Sequence, residues 1–134
     1  MSAENDTWQA SLRDDSAEWD SWRGDMKAED AEATQWKAEM ADSPEDAAYY
    51  EKQALQAEAD GMEYKADAAE HEAEASNLNA EAADTLAEVT TDPATEKALD
   101  DTSMQLEADA EAWKGDAQAL DAAAWATDNA AADI

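Results

Sequence analysis

The chain has 134 residues and carries 36 Asp and Glu against 8 Lys and Arg, a formal charge of −28, with no cysteine and no phenylalanine. That length suits a single domain, and that charge repels nucleic acid and anionic membrane surfaces while attracting cations and basic partners. Without cysteine there is neither a disulfide framework nor a thiolate metal site, and no apolar run approaches the roughly 18 residues of a membrane span.

The apolar fraction of 44% is mostly alanine, which accounts for 36 residues. The larger apolar side chains are six Trp, three Tyr, five Met, seven Leu, one Val and one Ile. Each is worth roughly 1.5–3 kcal/mol when buried, against on the order of 1.5 kcal/mol per residue of ordering entropy. A compact monomer is therefore marginal, and high salt, a partner subunit or very close helix packing must help. The opening residues Met1, Ser2, Ala3 and Glu4 have neither the basic nor the apolar stretch of a secretory leader. The cytoplasm of a halophile or a virus particle is the expected location.

Two prolines punctuate the chain. Ser43-Pro44-Glu45-Asp46 and Thr91-Asp92-Pro93-Ala94 both read as helix starts. Each has a capping side chain, proline in the first turn and acids where the helix dipole favours them. They divide the chain into predicted helices over about 6–41, 44–90 and 93–131. The spacing of apolar residues alternates three and four, the coiled-coil period. The fold class is all-α: an elongated antiparallel three-helix bundle or coiled coil, one domain over 1–134.

The first helix has a seam of Trp8, Leu12, Asp15, Trp19, Trp22, Met26, Glu29, Ala33, Trp36 and Met40, which is expected to form its core face. Asp15 and Glu29 interrupt it, read as drift of a straight helix off the seven-residue repeat. Arg23-Gly24-Asp25 spells an adhesion tripeptide but lies within a helical pattern rather than a presenting loop.

The second helix carries a row of Ala54, Gly61, Ala68, Ala75 and Ala82. The third carries Ser103, Ala110, Ala117, Ala124 and Ala131. Small residues permit close approach of two helices, so these rows are expected to pack against each other, with the bulky first helix filling the groove they leave. Reflection through the two turns sets Trp22, Tyr64 and Trp113 at similar heights, which predicts an aromatic cluster with Gly61 making room for an indole. Trp22-Arg23-Gly24-Asp25 is echoed by Trp113-Lys114-Gly115-Asp116. The same reflection takes the first helix only to about residue 79, so residues 80–104 are expected to protrude as a two-helix tip. Leu86, Val89 and Leu99 on that tip, and Trp125 off the third seam, are the candidate interface residues.

Nothing in the inventory points to an enzyme. The one histidine, His71, is flanked by Glu70 and Glu72 and reads as a seam residue with a local carboxylate partner. Di-iron bundles need a Glu-x-x-His motif on each of two helices, and one histidine cannot supply it. Acidic pairs such as Asp14-Asp15 and Asp100-Asp101 lack the loop of a calcium site, so diffuse cation binding is expected, with no catalytic, cofactor-binding or metal residues.

The functional expectation is a non-enzymatic structural or assembly protein, a spacer, fibre or particle accessory of viral type, adapted to a high-salt or cation-rich setting. A protein partner or self-association is expected, without direct nucleic-acid or membrane binding. The alternative is an acidic nucleic-acid mimic that occupies a basic DNA-binding protein. The acids are spread evenly, 12, 13 and 11 over residues 1–43, 44–91 and 92–134, where a mimic needs one concentrated face.

Overall fold

A computed structural model describes residues 2–134 and contains three helices, α1 (Ala3–Glu39), α2 (Pro44–Val89) and α3 (Pro93–Ala132). They form a three-helix bundle in which α2 contacts both α1 and α3, and no strand occurs among the described residues. Alanine and glutamate favour the helix throughout, and the punctuation works as the sequence implies. Ser43 Oγ accepts from Asp46 N at 3.1 Å, capping α2. Asp92 Oδ2 accepts from Thr95 N at 3.3 Å and from Thr95 Oγ1 at 2.6 Å, capping α3. The first helix begins at Ala3, and Met1 lies outside the described residues.

The chain falls into two compact units, each built from a piece of every helix. Unit 1 comprises residues 1–18 and 68–116, and unit 2 comprises 19–67 and 117–134.

In unit 2, α1 and α2 run antiparallel from the turn at 40–43. Their closest approach is glycine on glycine. A Cβ built on Gly24 would lie 3.0 Å from the Gly61 carbonyl oxygen, and one on Gly61 would lie 3.1 Å from the Gly24 carbonyl oxygen. Gly61 therefore serves backbone contact with α1 and makes no room for an indole. On the other side of α2, Thr127 of α3 donates to Met62 Sδ at 3.9 Å. Ala59 and Ala66, both fully buried, stand about 160° and about 140° round α2 from Gly61, so they face α3.

In unit 1 the same pattern holds. Arg13 of α1 pairs with Glu74 of α2 at 2.8 Å. Ala10 and Ala17 of α1 are buried, as are Ala68, Ala75 and Ala82 of α2, and so are Ala73, Ala80 and Ala87 further round it. Ser103 and Ala110 form the buried row of α3.

Two expectations are thereby corrected. The row Ala54, Gly61, Ala68, Ala75 and Ala82 is buried, but it faces α1, and α3 meets a second alanine row five residues out of phase. The core face of α1 is Ala10, Ala17 and Gly24, while Trp8, Leu12, Trp19, Trp22, Met26, Trp36 and Met40 are exposed. Every buried apolar residue among those described is an alanine. The reason is steric. Two alanine-lined helices approach to the short end of the 8–10 Å range, and a row of indoles would hold them apart and forfeit the close contacts that a methyl core depends on.

Candidate interaction surface

Because α1 spends its small-residue row on α2, its large residues lie on the opposite side. In unit 2 these are Trp19, Trp22, Met26, Trp36 and Met40, all exposed, with Glu29 and Ala33 completing the seven-residue repeat. Trp19 and Trp22 stack on each other, ring centroids 5.1 Å apart and planes 21° from parallel. The Arg23 guanidinium lies 5.1 Å from the Trp19 ring centroid and 5.7 Å from that of Tyr64 on α2, attracted by the ring faces. One Nη1 of Arg23 is also 3.9 Å from Asp20. On the next turn Lys65 Nζ reaches across from α2 to Asp25 at 2.6 Å and donates to Ser21 at 2.8 Å. These contacts fix the rotation of α1 on α2 and so fix which side of α1 is presented.

Along one flank of the exposed row run Asp25, Glu32 and Glu39, seven residues apart and all exposed. Along the other run Arg23, Asp30 and Lys37. An open groove beside Trp36 is lined by Ala28, Gln35 and Glu39 of α1 and by Ala54 and Leu55 of α2.

The remaining expected site residues are not brought together. In unit 1, Leu86 is half-exposed at the end of a shallow hollow with Ala3, Thr7, Trp8 and Ser11 of α1. Val89 is exposed and Leu99 is partly buried. Trp125 belongs to unit 2 and is exposed. Of the expected aromatic trio, Trp22 and Tyr64 share unit 2 with Arg23 close to the Tyr64 ring, whereas Trp113 belongs to unit 1. The echo of Trp-x-Gly-Asp is not structural either: Gly24 is buried against α2, while nothing lies within 4 Å of a Cβ at Gly115. All six tryptophans are exposed, between 38% and 71%.

Titratable groups register the density of charge. In unit 1, burial raises the Glu72 carboxyl to about 7, helped by its hydrogen bond and charge interaction with Asp14 and by repulsion from Glu18. His71 is a neighbour on α2, its Nδ1 3.8 Å from Glu74. In unit 2, slight burial and then the charges of Asp128, Asp60, Asp67 and Asp121 raise Glu63. Among the described residues no group of three or more His, Asp or Glu is placed to hold a metal ion, and no helix is long and apolar enough to cross a membrane.

The aromatic row is visible in the sequence, where the usual inward placement of large apolar residues assigns it to the core. The missed signal is Gly24, which lies as far before the first turn as Gly61 lies after it and so marks the α1 face that meets α2. No protein-family model matches the chain, and no curated protein or solved structure is significantly similar to it.

Proposed function

We propose that this protein is a non-enzymatic assembly element of a high-salt or cation-rich setting, which engages another protein through the exposed face of α1. The observation that supports this best is the inverted placement of apolar residues. The buried apolar residues are all alanine, and the large side chains of α1 sit outside at coiled-coil spacing. Exposed tryptophan and methionine along one helix face mark a contact surface. The second support is charge. With −28 overall and a carboxylate such as Glu63 raised by slight burial and then by four other acids, self-repulsion opposes the folded state and salt relieves it. A nucleic-acid mimic would use a continuous carboxylate face, and the outward side of α1 in unit 2 is occupied by indoles and thioethers instead.

The test is a salt series. Far-UV circular dichroism should show a melting temperature that climbs from near-zero salt to about 1 M, where the screening length falls to about 3 Å. Sedimentation at the same salts should show association that weakens when Trp22 and Trp36 are replaced by alanine, or a monomer that binds a partner through them. A salt-independent melting temperature would remove the salt reading. A strictly monomeric protein whose surface tryptophans can be deleted without loss of any interaction would remove the assembly reading.

A further inference from the structure

The row Trp19, Trp22, Met26, Glu29, Ala33, Trp36 and Met40 lies on one continuous stretch of α1 within unit 2. It repeats at positions that only another helix can follow over three heptads, a length of roughly 30 Å. Its charges then select which helix. The flank Asp25, Glu32, Glu39 is wholly acidic, and Glu29 sits on the row itself. Asp25 already holds Lys65, and Arg23 is spent on Trp19, Tyr64 and Asp20. The lasting character of the surface is therefore aromatic along the middle and negative along one side.

A second copy of the chain fits this poorly. Laid parallel, it sets Glu29 against Glu29 in the apolar seam. Laid antiparallel with Trp22 opposite Met40, it sets the flank Asp25, Glu32, Glu39 against the same acids, and Arg23 against Lys37. Like charges so placed are destabilising. A helix of opposite character satisfies the seam and the acidic flank at once. We infer that the α1 face from Trp19 to Met40 docks a basic amphipathic helix of another protein. The partner presents apolar residues to Trp19, Trp22, Met26, Trp36 and Met40, a cationic side chain to Glu29, and a line of Lys or Arg to Glu32 and Glu39. This rests on the assembly reading above and names the partner's chemistry.

The probe is a synthetic helical peptide of about three heptads. It carries leucine at the seam positions, lysine along one flank, glutamine along the other, and one seam lysine to meet Glu29. The control has the same composition in shuffled order. Binding is followed by titration calorimetry at about 0.1 M and about 1 M salt. The heptad peptide should bind roughly tenfold tighter or better than the shuffled one and should retain measurable binding in high salt, where contacts made by charge alone fade. The double variant Trp22→Ala, Trp36→Ala should weaken it by roughly tenfold or more, as expected of central aromatic anchors. Its circular dichroism should be unchanged, because both side chains are exposed. Glu29→Lys should weaken it as well.

Equal binding of both peptides, or indifference to the double variant, overturns the inference. Sedimentation of the full chain separates the two levels. A chain that self-associates through Trp22 and Trp36 and ignores the peptide keeps the assembly reading and overturns the basic-helix partner. A chain that stays monomeric and ignores the peptide overturns the basic-helix partner, and it overturns the assembly reading too where deleting Trp22 and Trp36 costs the chain no interaction.

Discussion

Three glycines occupy helix interiors here, and only two have a reason to. In a helix, glycine costs about 1 kcal/mol relative to alanine, so a glycine retained there without strain marks either a close contact or an avoidable loss. Gly115 has nothing within 4 Å of the methyl it lacks. Gly115→Ala should therefore raise stability by about 0.5–1 kcal/mol, seen as a higher melting temperature. Gly24 is the opposite case. A methyl there would meet Lys65 Cγ at 2.9 Å and the Gly61 carbonyl oxygen at 3.0 Å, and the second of these is backbone. The helix-propensity gain is outweighed by separation of α1 from α2, and Gly24→Ala should destabilise by about 1–2 kcal/mol net. A Gly24→Ala protein that melts higher than the parent would show that the helices are not held at glycine contact.

At the scale of the element, what distinguishes these helices is the absence of any large residue in their shared core. A buried alanine methyl contributes only about 0.8 kcal/mol by transfer, so stability depends on many such contacts at close range. Ala66 is fully buried on the α3 side of α2. Ala66→Leu adds three carbons where there is no space, and it should cost about 1–3 kcal/mol or more by forcing α3 outward. The same change at Ala33, exposed on α1, should be within about 0.5 kcal/mol of neutral. Denaturant midpoints of the two variants decide this. The contrast also explains what the sequence made legible. Helix number, the proline turns and their caps, and the buried rows at Ala54–Ala82 and Ser103–Ala131 follow directly from period and punctuation. The orientation of α1 does not, because Trp8–Met40 and Ala10–Ala17–Gly24 repeat at the same seven-residue spacing. Period alone cannot choose between two rows with one period. The usual rule that large apolar residues go inside chooses the tryptophans, and it fails because α2 offers alanine on both of its contact sides. Only a small row can match that at close range. The candidate surface was thus visible as a pattern of residues, while its exposure followed from a packing constraint set by another helix.

For the molecule as a whole, the governing quantity is the balance between a thin methyl core and a charge of −28. That balance makes stability fall as pH rises, the reverse of the behaviour produced by carboxylates held in salt bridges. Glu72 carries the clearest share. Its carboxyl is raised from the ordinary 4.5 to about 7, first by burial and then by Asp14 and Glu18. The groups around it include Arg13 paired with Glu74, and His71 beside Glu74. Between pH 4.5 and about 7 the folded chain holds a proton on Glu72 that the unfolded chain has released. By linkage, stability then decreases with pH across that window, and this contribution is fully present below 4.5 and gone above about 7. Glu63 acts in the same direction, since it too is raised. Asp92 opposes them, because its bonds from Thr95 hold it below the usual range and its cap is lost only in stronger acid. Thermal melts at low salt should therefore give a higher midpoint near pH 5 than near pH 8. Glu72→Gln, which keeps a hydrogen-bonding group beside Asp14 and removes the titration, should raise the pH 8 midpoint and flatten the slope. High salt should flatten it for the parent as well by screening the acids that act on Glu63. A midpoint that instead climbs from pH 5 to pH 8, or a Glu72→Gln protein with the parent's full slope, would mean that neither Glu72 nor the surrounding acids set the stability of the bundle.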